Sequence, residues 1–242
     1  MKLKRYYTDK NLIVGSRIPI DGDEFHHLKN VMRARVGDSV VLFNGEKINA
    51  YGKIESLGKQ DAVIFIDSIE ENNSEPTIDV TLYQAVCKGE KLSLITQKIT
   101  ELGASEICVF YSDYTDIKDK TSKIDKLKKV TISACKQCGR SSLLKIDGVI
   151  SFSDMVEKAK NNDMVFVAYE NSNDETLYAN LLKNANYGKI GLIIGAEGGF
   201  SEKEIEKLKE NNFKIVTLGK RILRTETASI AGISAIMFAC EK

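Results

Sequence analysis

Two glycine-bearing stretches near the C-terminal end decide the fold of this chain: Ile194-Gly195-Ala196-Glu197-Gly198-Gly199-Phe200 and Leu218-Gly219-Lys220-Arg221-Ile222-Leu223-Arg224-Thr225-Glu226-Thr227-Ala228. Each follows a short apolar run and precedes a helix-like sequence, which predicts loops that join strands to helices at one edge of a sheet. Glycine lets the backbone of such a loop approach a ligand closely. The second stretch also carries arginines and a glutamate, which suits a charged, nucleotide-like ligand and a reaction that moves a proton.

The sequence around these loops alternates between strand and helix patterns. Strands are expected at residues 78–86, 106–110, 164–168, 189–194 and 213–217, and helices at 90–102, 122–138, 175–183 and 225–240. In the helix at 90–102, the residues expected to face the core are Leu94, Ile95, Ile99 and Leu102. A further helix should begin at Ser201, where Glu204 completes a capping box. This alternation predicts an α/β domain with a mostly parallel sheet.

Ligands of such sheets bind beyond the carboxyl ends of the strands. The loops 169–171, 195–200 and 218–223 would gather there. The glycine loop is neither GxGxxG nor a Walker A sequence, which disfavours a dinucleotide or ATP site of the usual kind. Arg221, Arg224 and Glu226 are candidate site residues, although Glu226 would also complement the dipole of the last helix.

The N-terminal part of the chain follows a different pattern. From about Arg17 to Ile69 the hydrophobic residues mostly recur with period two, and Ser39–Phe43 leads into Asn44-Gly45, a strong hairpin signal. A short helix is expected between Asp21 and Arg35. Several short strands with one helix predict a small β-barrel.

An acidic, proline-terminated segment, Glu70–Pro76, is typical of a linker between two domains. We therefore expect one domain over residues 1–72 and a second over residues 73–242. The hydrophobic content of 43% is ample for packed cores. The basic N-terminus lacks the apolar stretch of a signal peptide, so a cytoplasmic location is expected.

Charge is uneven along a chain whose net charge is only +1. The segments 1–36 and 118–145 are both rich in lysine and arginine and could neutralise phosphates. For the second segment, a phosphate-binding surface and a solvated helix face are both open. Cys135 and Cys138 form a CxxC pair, but the sequence offers no second pair of zinc ligands. We expect cysteines that pack a helix, and no metal.

Five blocks occur in order along the chain: Lys88-Gly89-Glu90-Lys91, Gln97-Lys98-Ile99-Thr100-Glu101-Leu102-Gly103, Ala134-Cys135-Lys136-Gln137-Cys138-Gly139-Arg140, and the two glycine-bearing stretches. Together they closely resemble the bacterial 16S rRNA (uracil-N3)-methyltransferase family of the SPOUT superfamily. The resemblance covers essentially the whole chain. It implies an α/β fold: a SPOUT-type, trefoil-knotted parallel-sheet domain behind an N-terminal PUA-like β-barrel.

The resemblance also implies an S-adenosyl-L-methionine-dependent enzyme that forms a homodimer and acts on 16S rRNA in the small ribosomal subunit. The implied cofactor-binding residues are Ala168, Tyr169, Gly195, Glu197, Gly198, Gly199, Leu218, Gly219, Arg221, Ile222, Leu223 and Ala228. Ala196 and Lys220 depart from the family, which usually has proline there, and both changes would loosen the loops without removing a chemical group.

For methyl transfer to N3, Arg224 is expected to bind a uracil carbonyl, and Glu226 or Glu197 to take the proton or orient Arg224; the alternative is that Arg224 and Glu226 pair to fix the knot. The basic residues expected to bind RNA phosphates are Arg5, Arg17, Lys29, Arg33, Lys136 and Arg140. The alternatives are another SPOUT RNA methyltransferase acting on a ribose or another base, a non-catalytic RNA-binding protein, and a Rossmann-type redox enzyme. The missing early glycine fingerprint disfavours the last of these.

Overall fold

The computed structural model describes residues 3–88, 90–115, 122–170, 175–184 and 186–240, apart from the side chains of 122–125. Gly89 of the first block, Asn171 of a predicted ligand loop, and Lys118 and Lys120 of the basic segment lie outside the described residues. The chain forms two compact units. We call them the half-barrel unit (Met1–Glu75 and Ile132–Leu143) and the parallel-sheet unit (Pro76–Thr131 and Leu144–Lys242).

The half-barrel unit contains a five-stranded sheet. Its strands are β1 (Lys4–Tyr7), β2 (Arg17–Ile20), β3 (Ser39–Phe43), β4 (Ile48–Leu57) and β5 (Ala62–Glu71). They pair in the order β1-β3-β4-β5-β2, with β1 parallel to β3 and the other neighbours antiparallel. The predicted hairpin joins β3 to β4. The β-barrel expected from the sequence is observed as a curled half-barrel. Among the described residues its edge strands are β1 and β2.

The helix predicted between Asp21 and Arg35 is confirmed as α1 (Gly22–His26), which continues as a π-helical turn over His27–Val31. The predicted linker begins too early, because Glu70 and Glu71 belong to β5 and pair with β4. The core of this unit is formed by alternate strand residues together with the helix, including Tyr6, Leu28, Leu42, Ile54 and Ile64.

The parallel-sheet unit alternates strands and helices, as predicted. Its strands are β6 (Asp79–Ala85), β7 (Glu106–Phe110), β8 (Lys145–Ile150), β9 (Met164–Ala168), β10 (Lys189–Ile194) and β11 (Lys214–Val216). Its helices are α2 (Lys91–Leu102), α3 (Ser122–Cys138, which ends in the half-barrel unit), α4 (Phe152–Ala159), α5 (Leu177–Lys183), α6 (Glu202–Glu210) and α7 (Thr225–Cys240). The strands pair in the order β11-β9-β10-β6-β7-β8, and every pair is parallel.

Helices cover both faces of this sheet. On one face, α2, α5 and α7 pack against side chains such as Leu82 and Leu192. On the other face, α4 and α6 pack against Tyr83 and Ile193, which directly follow Leu82 and Leu192 in the sequence. Because successive strand residues point to opposite faces, each strand serves both cores, which explains the nearly continuous apolar runs.

Two details of this unit differ from the prediction. Leu94 is 42% exposed and does not face the core. Leu92, Ile95 and Ile99 form the buried stripe of α2, and at 100° per residue Leu94 lies opposite Leu92. The strand β8 and the helix α4 were not predicted. β8 is a half-buried edge strand, and Asp147-Gly148 interrupts the apolar pattern of its sequence.

Candidate cofactor and catalytic site

The carboxyl ends of β9, β10 and β11 lie side by side, because these strands are neighbours in the sheet. A cavity of about 370 Å³ opens at this edge. Predicted cofactor-binding residues that line it are Ala168, Gly195, Glu197, Gly199, Ile222, Leu223 and Ala228. The edge predicted from the alternating pattern is therefore where the structure has its cavity.

A second cavity of about 50 Å³ shares Ala168, Leu223 and Ala228 with the first. It is lined by four more of the predicted residues, Tyr169, Leu218, Gly219 and Arg221. Gly198 is not among the lining residues of either cavity. It packs instead beside Tyr114, whose Cβ would lie 3.1 Å from a Cβ added at Gly198.

The glycine loop turns sharply at the wall of the cavity. The Gly199 N–H donates to the Ala196 carbonyl at 3.0 Å. Gly199 has a φ of 73°, and a Cβ added there would lie 2.5 Å from Glu170 Oε1. A larger residue at this position would strain the backbone and press on the Glu170 side chain. Glycine at 199 therefore keeps this wall thin.

A buried chain of side-chain hydrogen bonds ties this loop to the start of α7. The Thr225 hydroxyl donates to the Gly195 carbonyl at 2.9 Å and accepts from Gln84 Nε2 at 3.0 Å. The Ser229 hydroxyl donates to Gln84 Oε1 at 2.5 Å. Sequence reasoning missed Gln84, although a glutamine inside the apolar strand β6 is itself a signal of a buried polar network.

A cation and two carboxylates meet beside the cavity. Lys91 Nζ lies 3.0 Å from Glu197 Oε1 and 3.6 Å from Glu226 Oε2. The Lys88 N–H also donates to Glu197 Oε1, at 2.9 Å. Burial opposes ionisation of Glu197, but these two donors outweigh it and lower the pKa of that carboxyl. The hydrogen bond to Glu197 raises the pKa of the Lys91 ammonium.

Lys91 lies in a block that the sequence singled out, but it was not predicted as a site residue. Arg224 lines the cavity with an exposed side chain. Its backbone carbonyl accepts from the Ala228 N–H at 2.8 Å, in the first turn of α7. Glu226 is paired with Lys91 on α2, and Arg224 is a neighbouring lining residue of the cavity.

Comparison with known proteins supplies the identification. A family profile described as RNA methyltransferase domain matches residues 73–237, and one described as RNA methyltransferase PUA domain matches residues 20–67. Ribosomal RNA small subunit methyltransferase E of Bacillus subtilis is 31% identical over 250 residues, covering 99% of this chain and 98% of the relative. The chain belongs to the ribosomal RNA small subunit methyltransferase E family.

Solved structures agree. The protein of that name from Neisseria gonorrhoeae, bound to S-adenosyl methionine, has a TM-score of 0.90 at 29% identity, with 99% of both chains covered. A Legionella pneumophila methyltransferase in complex with the cofactor SAM has a TM-score of 0.92 at 28% identity, with 100% of both chains covered. The protein is thus an rRNA methyltransferase with an N-terminal PUA domain, and the recognition of its family from the sequence is confirmed.

In the half-barrel unit of this methyltransferase, three predicted RNA-binding residues are exposed. Arg17 pairs with Glu55 through bonds of 2.7 and 2.9 Å. Lys29 donates to the Gly58 carbonyl at 2.9 Å, and Arg33 is exposed beyond the π-helical turn. Their present surface contacts are weak, so these side chains can give them up to bind a phosphate.

Arg5 and Lys136 line a groove of about 420 Å³ together with Lys4 and His27. Lys136 donates to both carboxylate oxygens of Glu24, at 2.8 and 2.9 Å. Burial and the nearby Lys136 ammonium lower the pKa of His27. These cations already have partners within the unit, since Lys136 pairs with Glu24 and the Arg5 guanidinium donates to Asn49 Oδ1, the Arg140 carbonyl and Ser141 Oγ.

The structure gives Arg140 a different role from the predicted phosphate contact. Its guanidinium is 6% exposed and pairs with Glu75 at 3.2 Å. Glu75 Oε1 also accepts from the N–H groups of Ser141 and Ser142, at 2.6 and 2.8 Å. A side chain buried in this way cannot contact RNA, so we assign Arg140 to the internal framework of the unit.

The cysteines of the CxxC pair lie at the end of α3. Cys135 is buried, its thiol donates to the Ser142 carbonyl at 3.3 Å, and burial raises its pKa to about 12. The packing role expected for Cys135 is confirmed. Within the described ranges there is no cluster of three or more His, Cys, Asp or Glu residues arranged to hold a metal. No helix among these residues has the length and apolar character needed to cross a membrane.

Proposed function

We propose that this enzyme transfers the methyl group of S-adenosylmethionine to N3 of one uridine of 16S rRNA, within the assembled small subunit in the cytoplasm. The observation that carries the proposal is the cavity at the carboxyl edge, whose lining includes Gly195, Gly199, Lys91, Glu197 and Arg224, with Glu226 beside Lys91. Methyl transfer to a weakly acidic nitrogen requires a proton acceptor and a group that stabilises negative charge, and these side chains supply both.

The cavity fits the cofactor. Its volume of about 370 Å³ lies within the usual range for ligand pockets of about 300–1,000 Å³. Gly195 and Gly199 form a thin wall, since a Cβ added at Gly195 would lie 3.1 Å from the Gly199 carbonyl. Ile222, Leu223 and Ala228 supply an apolar side for the adenosine portion. When bound, S-adenosylmethionine supplies an electrophilic methyl group.

The protein's own residues prepare the uracil. N3 carries a proton and becomes nucleophilic as that proton leaves, while negative charge develops on the two carbonyl oxygens. Arg224 is proposed to donate to one of these oxygens and to stabilise that charge. Glu226 or Glu197 is proposed to accept the proton. Holding both reactants at the edge of one sheet aligns them for transfer.

We further propose that Leu218–Leu223 forms part of a trefoil knot around the cofactor, as in the SPOUT enzymes. The support is that this segment and Gly195–Phe200 line one cavity although α6 and β11 separate them along the chain. We also propose a homodimer. Phe238 is 87% exposed on α7, and Tyr178 and Leu182 are exposed on α5, which packs against α7. Large apolar side chains with this exposure on two packed helices support an interface on this side of the unit.

Residues 1–72 are proposed as the RNA-binding domain and residues 73–242 as the catalytic domain. Arg17, Lys29 and Arg33, with the groove beside Arg5 and Lys136, would bind phosphates. Phosphate contacts position an RNA but do not select a base. Selection of one uridine would rest on the shape of the folded rRNA and on extrusion of the base into the cavity.

Two experiments test the proposal. Mass spectrometry of rRNA from cells with and without the gene should show one N3-methyluridine in 16S rRNA that depends on the protein. A methyl group on a ribose or another base would support a different SPOUT specificity, and no change would support an RNA-binding protein. In purified enzyme, Arg224→Ala should abolish transfer but leave S-adenosylhomocysteine affinity intact, and Arg224→Lys serves as the charge-matched control.

A further inference from the structure

The two carboxylates beside the cavity have different surroundings. Glu197 Oε1 accepts two hydrogen bonds, from the Lys88 N–H at 2.9 Å and from Lys91 Nζ at 3.0 Å. Glu226 Oε2 is buried and accepts no hydrogen bond within the described part of the chain. Its distance of 3.6 Å from Lys91 Nζ is that of an ion pair and is too long for a good hydrogen bond.

We infer that Lys91 is a positioning residue: it fixes Glu197 as part of the loop framework and holds Glu226 beside the cavity as the acceptor of the uracil N3 proton. This inference rests on the proposed function, and it decides between the two carboxylates that the proposed function leaves equivalent. Lys91 itself touches neither the base nor the methyl group in this scheme.

Glu197 is unsuited to accept a proton. Protonation would break the bonds that join its loop to Lys88 and Lys91, and the lowered pKa of this carboxyl reflects the same contacts. Glu197 therefore stays ionised and links the glycine loop to the start of α2. Its fixed position stabilises the wall on which the cofactor would lie.

Glu226 has the opposite properties. A buried carboxylate oxygen without a donor is unfavourable unless a ligand supplies one. The imide N–H of uracil is such a donor, and the side chain is 15% exposed, which leaves a route for the proton to solvent afterwards. Lys91 Nζ, at 3.6 Å, places a positive charge beside this carboxylate without donating a hydrogen bond to Oε2.

In the proposed step, Glu226 takes the N3 proton as N3 forms its bond to the methyl carbon. The electron pair of the broken carbon–sulfur bond stays with sulfur. The products are N3-methyluridine, the neutral thioether and a protonated Glu226, which then loses its proton to water. Other charged groups that face this region are Arg224 at the start of α7 and Glu170 after β9.

The test measures single-turnover rates on small subunits from methylation-deficient cells and S-adenosylhomocysteine affinity by calorimetry, for the full-length enzyme and its variants. Glu226→Gln should slow transfer by about a hundredfold or more while affinity stays within about twofold. Glu197→Gln should slow transfer far less but weaken affinity, because the glycine loop loosens. Lys91→Met should reduce both, and Lys91→Arg should restore most of each.

Lys98→Met is the matched control, since Lys98 lies on the same helix and pairs with Glu101 outside the cavity. Circular dichroism checks that each variant folds, and Lys91→Gln replaces Lys91→Met if the latter does not. The inference is overturned if Glu197→Gln loses more rate than Glu226→Gln, or if Lys91→Arg rescues nothing. If wild-type enzyme forms a product other than N3-methyluridine, the proposed function fails instead, whatever the variants do.

Discussion

Replacing Glu75 with glutamine should cost the protein a large share of its stability. The Glu75 carboxylate lies against Arg140 Nε at 3.2 Å, and both side chains are only 6% exposed. It also accepts from the Ser142 hydroxyl at 2.6 Å, besides the two backbone N–H groups of Ser141 and Ser142. Glutamine keeps the volume but removes the charge and replaces one acceptor with a donor.

The size of the effect follows from what is left behind. Removing one partner of a buried ion pair costs about 3–5 kcal/mol. Urea m-values are about 1–3 kcal/mol per molar, so the unfolding midpoint should fall by about 1 M or more. The chain has no tryptophan, so circular dichroism at 222 nm is the suitable probe.

The same carboxyl predicts a pH dependence. Burial alone would raise the pKa of Glu75, but the Ser142 and Ser141 hydrogen bonds and the Arg140 charge together lower it below its ordinary value of 4.5. Its contribution is therefore complete above pH 4.5 and is lost as the pH falls through the lower folded value. Wild-type stability should decline in that range, and the variant should lose this component of the decline.

Glu55→Gln is the control, because Glu55 pairs with Arg17 on the exposed surface and its loss should leave the midpoint unchanged. A loss below about 1 kcal/mol for Glu75→Gln at pH 7 would refute the reasoning, since it would mean that Arg140 finds water or another partner at little cost.

Three further predictions concern the parallel-sheet unit. Gly199→Ala should weaken S-adenosylhomocysteine binding at least tenfold by calorimetry, because φ is 73° and the new Cβ would press on Glu170; unchanged affinity would mean that the loop adapts freely. Thr225→Val should lower the unfolding free energy by about 1–3 kcal/mol, because two buried partners lose their hydrogen bond; a melting temperature equal to wild type would contradict this. Phe238→Asp should convert a dimer to a monomer in sedimentation velocity, and an unchanged sedimentation coefficient would exclude this face as the interface.

The sequence predicted the parts of the fold that depend on local pattern. Buried strands such as Lys189–Ile194 are near-continuous apolar runs. The capping box depends only on the four residues Ser201–Glu204, and both of its hydrogen bonds are present. The half-exposed strand Lys145–Ile150 escaped prediction, because an edge strand has no strong periodicity. Leu94 is exposed although it is apolar, because it lies on the opposite side of α2 from the buried residue Leu92.

The site was predictable only in part, for a different reason. The loops could be placed at one sheet edge because parallel strands end together. The partners of individual charged side chains could not be predicted, because they are far apart in the sequence. Lys91 and Glu197 are 106 positions apart, and Arg140 and Glu75 are 65 positions apart. The sequence shows that a charged residue is present. Only the folded structure shows whether its side chain is buried beside a counterion or faces a ligand site.

The buried chain from Gln84 through Thr225 to Ser229 has a consequence for biosynthesis. Gln84 and Thr225 are 141 positions apart, so at roughly 5–20 residues per second a ribosome needs roughly 7–28 seconds to make the second after the first. During that interval the glutamine amide has neither of its hydroxyl partners, and the Gly195 carbonyl lacks the hydrogen bond from Thr225. The wall of the cavity is thus completed only after helix α7 has been synthesised, so the site depends on a segment made long after the strand that holds Gln84.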